Sequence, residues 1–319
     1  MKDLPSLPYD EWCDTLETLH RWSQILGKVK LALTPLLNHW WNVPLSVSPH
    51  GLTTGTIPFG DRDFEMELDF LEDVLRIRTD DRRARFVDLR PRSVADFYAA
   101  TMAALREVDI EVPMWTTPVE IADPIPFEQD EQHGSYDKEY VMRFWRCISR
   151  IDPVFAKFRT GFIGKGSPVQ FFWGSFDLTV TLFSGRRAPP FAGSSVEREG
   201  YSHELFSIGW WPGDQRFERP AFYAYTAPEP PGFSSSLIQP SLAYYLPALH
   251  GFYLEHDDVR AAALPEATLM EFFKTTYDAA ANLGAWPRAQ LERSRSEEDE
   301  HALFTPEEAR QQPAPDGGL

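Results

Sequence analysis

Trp41-Asn42-Val43-Pro44-Leu45-Ser46-Val47-Ser48 alternates apolar and polar side chains, and Phe172-Trp173-Gly174-Ser175-Phe176-Asp177-Leu178-Thr179 does so again in the second half of the chain. Alternation at period two puts one set of side chains on each face of a strand, so both stretches predict half-buried strands. Similar elements surround each. Trp12, Leu16, Leu19, Trp22, Leu26, Val29 and Leu33 recur at helical spacing and predict a helix over 10–34, ended by Pro35. Tyr140, Phe144, Cys147, Ile151, Val154 and Phe158 predict another over 137–158, which Pro153 should kink or split. Tyr9-Asp10 and Tyr136-Asp137 open the two helices alike.

Working outward, 51–60 reads as turn-rich, and 64–70, 74–78 and 85–89 as short strands. Ser93-x-x-Asp96 is a capping signature before a helix through Leu105. In the second half, strands fall near 203–211, 220–226 and 242–256, between Pro-, Gly- and Ser-rich loops at 186–202 and 227–240. A last helix spans 266–283, with Thr268-x-x-Glu271 matching the first capping signature. Leu75 and Ile77 fall on Phe252 and Leu254. The reading is an α+β chain of two tandem pseudo-repeats of a helix–antiparallel β-sheet–helix unit packed together. The units are 5–110 and 136–285, joined by a Pro-rich acidic linker at 111–135 and followed by a charged, disordered tail at 286–319. A small sheet needs its apolar face covered, so two such units would share one core, and the cleft between them is the expected ligand site.

The chain of 319 residues is 43% hydrophobic and 14% aromatic, enough for a sizeable core. Its net charge of −17 repels phosphate backbones and anionic membrane surfaces, so neither nucleic acid nor membrane is an expected partner. No run approaches the roughly 18 apolar residues of a membrane span, and Met1-Lys2-Asp3-Leu4-Pro5 lacks an apolar signal region, so the expected location is the cytoplasm. Cys13 and Cys147 have no CxxC partner and read as free thiols in a reducing compartment.

Most familiar catalytic signatures are absent: GxSxG, HExxH and the dinucleotide glycine fingerprint do not occur. Gly161-Phe-Ile-Gly-Lys165-Gly-Ser167 lacks the spacing of a phosphate loop and follows a helix instead of a strand. What is left is a set of polar residues. His39 opens the first predicted strand, and its counterpart is Gln170; the two read either as satisfied core side chains or as a pseudo-symmetric site. His203 and Glu204 are adjacent on a strand and so point to opposite faces. Trp173, Ser175 and Asp177 share one predicted strand face and could line a pocket or meet solvent. Arg186, Arg187 and Lys165 could hold an anionic group, or be solvated charges. Trp22, Trp40, Trp145 and Trp210 read as core before ligand stackers.

Leu19-His20-Arg21-Trp22-Ser23-Gln24, Gly27-Lys28-Val29, Asn38-His39-Trp40-Trp41 and Gly51-Leu52-Thr53-Thr54 carry a resemblance. So do Ser167-Pro168-Val169, Phe171-Phe172-Trp173-Gly174-Ser175-Phe176-Asp177, Arg186-Arg187-Ala188-Pro189-Pro190 and Tyr201-Ser202-His203-Glu204. Over roughly 5–290 the chain resembles a bacterial family catalogued as a domain of unknown function, DUF5996. The resemblance implies no activity. It places the family's polar signatures on the residues named above.

The functional expectation is therefore an enzyme acting on a small polar metabolite between the two halves. His39, His203, Glu204 and Asp177 would be the catalytic groups, and Trp173, Ser175, Arg186, Arg187, Trp40 and Lys165 would hold the substrate. A divalent metal is the candidate cofactor, with His39, His203, Glu204 and His20 as its ligands. The alternative is a non-catalytic small-molecule binding or oligomerisation module, and the oligomeric state stays open.

Overall fold

The computed structural model describes residues 4–190 and 192–293. Helix α1 (Cys13–Leu33) follows a 3-10 turn at Tyr9–Glu11. Strands β1 (Ser46–Val47), β2 (Gly51–Phe59), β3 (Arg62–Asp69), β4 (Val74–Thr79) and β5 (Ala84–Asp88) then form an antiparallel meander paired in chain order. Helix α2 (Val94–Arg106) closes this half, and the Ser93 side chain accepts from the Asp96 N–H as the capping signature predicts.

Helix α3 (Lys138–Thr160) opens the second half, with the Asp137 carboxylate accepting from the N–H groups of Glu139 and Tyr140. After it come β6 (Gln170–Phe172), β7 (Asp177–Arg187), α4 (Ser195–Gly200), β8 (His203–Trp211), β9 (Ala221–Ala227), β10 (Tyr244–Leu246) and β11 (Gly251–Glu255). Helices α5 (His256–Ala261), α6 (Pro265–Leu283) and α7 (Arg288–Leu291) complete the described chain. The six strands lie in the order β10-β11-β9-β8-β7-β6, all antiparallel where paired. The protein is thus α+β, and each half runs helix, antiparallel sheet, helix.

The structure does not confirm the residue correspondence read from the sequence. Leu45 and Phe171 face each other across the junction of the two sheets, each N–H donating to the other's carbonyl at 2.9 Å. Leu75 and Ile77 lie on the fourth strand counted from β1, and Phe252 and Leu254 on the fifth counted from β6.

Several elements also differ from their predicted form. Of 41–48 only β1 is strand, because His39 and Trp40 take positive φ (56° and 60°) and turn the chain before it. The stretch 51–60 is a long strand, with Gly55 at φ 62° beside a register shift between Thr53 and Thr56. The predicted strand at 172–179 is a hairpin: β6 ends at Phe172, Phe176 turns at φ 58°, and β7 begins at Asp177. Trp173, Ser175 and Asp177 therefore share no strand face. The 186–202 loop contains α4, and 242–256 divides into β10 and β11. Pro153 lies within a continuous α3. Helix α6 starts at Pro265, so Thr268 lies inside it and donates back to the Leu264 carbonyl. The 111–135 stretch has little regular structure but packs on α1: the Gln24 amide bonds both backbone groups of Val119, and buried Asp130 pairs with buried Arg21 at 3.3 Å. Of the predicted tail, 286–293 includes α7, and 294–319 lies outside the described residues.

One hydrophobic core runs through both halves. Leu52, Ile57, Met66, Leu68, Leu75 and Ile77 turn one sheet face inward, and Leu178, Val180, Phe206, Ile208, Phe222 and Leu254 do so in the other. Trp22 of α1 stacks on Phe97 of α2 at 4.4 Å. Phe144 of α3 joins the halves, with rings of Trp12, Phe70, Phe171, Phe176 and Trp210 around it at 5.2–6.4 Å. Emptying such a site costs about 3–5 kcal/mol, so the two sheets are one folding core. Cys147 is buried and Cys13 partly exposed, both as free thiols.

Candidate functional site

The six-stranded sheet has a helix side and an outer side. Phe206, Ile208 and Trp210 face the helices, so alternation sends His203 and Ser207 of β8 outward and Glu204 inward. On β7 the outward residues include Asp177, Thr179 and Phe183. Arg187 is paired with His203 beyond a bulge between Phe183 and Arg187, which re-aims the strand end. The loop carrying His39 crosses this end from the first half.

Four of the residues singled out in the sequence meet here. The His39 ring packs on Phe183 at 4.3 Å and lies edge-on to His203 at 5.5 Å. His39 Nδ1 donates to the Gly200 carbonyl at 3.1 Å, leaving Nε2 to accept from Lys165 Nζ at 2.6 Å. The ammonium of Lys165 also lies over the Phe183 ring (4.9 Å) and the Trp41 ring (5.6 Å). His203 Nδ1 bonds Ser202 Oγ at 3.1 Å. Arg187 stands beside His203 at the exposed end of β7. Burial holds His39, Lys165 and His203 below their ordinary pKa values, and for both histidines the neighbouring Lys165 charge adds to it.

Two consecutive left-handed non-glycine residues cost roughly 1 kcal/mol or more each, so something must hold them. Helix α4 does. The His39 N–H donates to Glu199 Oε1 at 3.0 Å, its ring to Gly200, and Trp40 Nε1 to the Val196 carbonyl at 3.1 Å. Trp40 is thus an anchor of the loop. Glu199 is the acid nearest the cluster, and this backbone contact occupies one of its oxygens. Among the described residues no carboxylate forms an ion pair with Lys165 or Arg187.

The remaining predicted site residues lie elsewhere. Glu204 accepts from Ser184 Oγ and from Arg186 Nε, at 2.8 and 2.9 Å. Arg186 in turn donates to the carbonyls of Gly284 and Ala285 at the end of α6. That pair ties the sheet to the helix, on the face opposite His203. Trp173 is a core residue whose indole fills the space left by Gly27 and donates to the Val43 carbonyl at 2.9 Å. His20 donates to the Gly174 carbonyl at 2.9 Å and packs on Phe176, where burial lowers its pKa to about 4. Asp177 is buried and accepts from the hydroxyls of Ser175 and Tyr223, farther along the outer face. Glu120 approaches it, and burial together with the Asp177 charge raises the Glu120 pKa to about 7. Glu120 carried no sequence signal, because it lies in the aperiodic crossover.

These positions do not fit the expected metal set. Both ring nitrogens of His39 are engaged, an ammonium occupies the position a cation would take, and Glu204 and His20 are not nearby. The metal-capable group among the described residues is His50, Glu67 and Asp69. There Arg76 holds Asp69 at 2.5 Å and Arg78 holds Glu67 at 3.3 Å, so guanidinium groups already neutralise the carboxylates.

No helix among the described residues is long and apolar enough to cross a membrane. No curated protein matches the chain, and no solved structure does either. A family model does, over residues 4–293, all of the described chain and every residue of the cationic cluster. The chain belongs to the family of unknown function DUF5996.

Proposed function

We propose that this protein binds a small anionic metabolite where the His39 loop meets the ends of β7 and β8. The observation that carries the reading is Lys165. Its ammonium is half-buried, bonded to a neutral imidazole, and has no carboxylate ion pair among the described residues, in a chain with a net charge of −17. His203 lies edge-on to the His39 ring that Lys165 bonds, and Arg187 is paired with His203, so three donors gather at this strand end. A carboxylate or phosphoryl group of a ligand would complete their charge. The backbone strain at His39 and Trp40 supports the same place, since strained residues persist where the surroundings over-determine them.

The test is calorimetric titration with small carboxylates and inorganic phosphate, each beside an uncharged analogue such as the amide. Anions should bind and the uncharged analogues should not. Arg187→Gln should weaken binding tenfold or more, the loss of a charge-assisted hydrogen bond of about 1.5–3 kcal/mol. Equal affinity of wild type and variant for every anion would remove the assignment. A catalytic version of this reading rests on His203, whose Nδ1 is bonded to Ser202 while Nε2 stays available for proton transfer.

A further inference from the structure

We propose that Lys165 is an amine nucleophile that forms an imine with a carbonyl carried by the anionic ligand, so that the ligand class is a small oxo acid or oxo phosphate. This rests on the anion-binding reading above and adds a covalent step to it. Three features of the geometry carry it. Lys165 Nζ donates to His39 Nε2 at 2.6 Å, and His39 is held in the tautomer with an open Nε2 by its Nδ1–H bond to Gly200, so a base stands ready for the lysine proton. Partial burial of Lys165 favours the uncharged amine over the ammonium, against the opposing Glu199 charge. His203 lies edge-on to the His39 ring at 5.5 Å and Arg187 is paired with His203 at the strand end, so the cluster also offers groups to hold a carboxylate or phosphate.

The step balances without an oxidant or reductant. His39 Nε2 takes one proton from the Lys165 ammonium. The free amine adds to the carbonyl carbon, and one proton moves from its nitrogen to the carbonyl oxygen to give a neutral carbinolamine. Loss of that oxygen as water leaves the C=N bond, with the protonated imidazole as the donor for the departing hydroxyl. His203 is a second donor within the cluster.

Pyruvate with sodium cyanoborohydride is the probe. The reductant converts an imine to a stable secondary amine, and peptide mass spectrometry then locates the adduct. Lys28 and Lys30 are internal controls: burial lowers both to about 8, yet Lys28 is enclosed against Trp115 and Lys30 donates to the Pro44 carbonyl at 2.6 Å. The expected result is an adduct at Lys165 formed at least tenfold faster than at any other lysine, and slowed tenfold or more in a folded His39→Gln protein. Calorimetric binding of pyruvate with no preferred adduct at Lys165 would overturn the imine and leave the anion site standing. Absence of both pyruvate and phosphate binding would overturn the two together. A labelling rate unchanged by His39→Gln would overturn the role of His39 as the base.

Discussion

His20 shows what burial does to one side chain. Its folded-state pKa is about 4 against an ordinary 6.5, because burial in the hairpin contact disfavours the charged imidazole. A depressed folded pKa means that the unfolded chain takes the proton first. The stability is present above pH 6.5 and lost as pH falls toward 4, by on the order of 2–3 kcal/mol. Urea denaturation of wild type and His20→Gln at pH 7 and pH 4.5 checks this: the acid-induced loss should be smaller in the variant. Glu120 has the opposite sign. Its folded pKa of about 7 lies above the ordinary 4.5, so its contribution is present below pH 4.5 and lost as pH rises through 7. Gly27 makes a steric statement at the same scale. A methyl group there would meet the Trp173 indole at 2.2 Å. Gly27→Ala, which helps an isolated helix by about 1 kcal/mol, should here destabilise by about 1–3 kcal/mol, measured by the same denaturation.

Single side chains were also the most legible part of the site. His39, Lys165, Arg187 and His203 stood out because imidazoles and cations are sparse in an acidic chain, and they do meet. Glu204, Arg186, His20 and Trp173 stood out for their place beside those residues in the sequence and do other work. Sequence alternation separates the two faces of β8 but cannot say which face meets a helix end. Trp41, Phe183 and Glu199 escaped notice because aromatic and acidic residues are common in this chain.

At the scale of elements, the regular segments were readable and the turns between them were not. The helical stripe of α3 and the alternation of β3 and β4 survive, while α1 from Arg21 to Val29 and β8 from Leu205 are buried on more than one face. Of the two stretches that suggested a repeat, one follows two positive-φ residues and the other contains one, and alternation in the sequence says nothing about backbone that reverses. The Arg186–Glu204 pair carries an element-level prediction. It links β7 and β8 to the carbonyls of Gly284 and Ala285. Arg186→Met should lower stability by about 1–3 kcal/mol by thermal or chemical denaturation, while anion affinity in the titration stays as in wild type. A loss of affinity equal to that of Arg187→Gln would place Arg186 back among the ligand-binding groups.

For the whole molecule, the −17 charge is a self-repulsion that the fold must overcome. Salt screens it, with a Debye length near 10 Å at 0.1 M. The melting temperature should therefore rise between 10 mM and 500 mM NaCl in scanning calorimetry. A fall would mean that the surface ion pairs outweigh the net charge.

The Leu45–Phe171 junction bears on how the chain could go wrong. A strand edge with open amide and carbonyl groups is a template for another strand, and β1 and β6 each lie at the edge of a sheet. Their meeting lets each half cover the other's edge, so the two halves act as mutual chaperones. A chain whose halves part at this junction would expose both edges, ready to recruit the matching half of another copy. Exchange of halves between chains, giving a swapped dimer, is then the natural assembly error of this architecture.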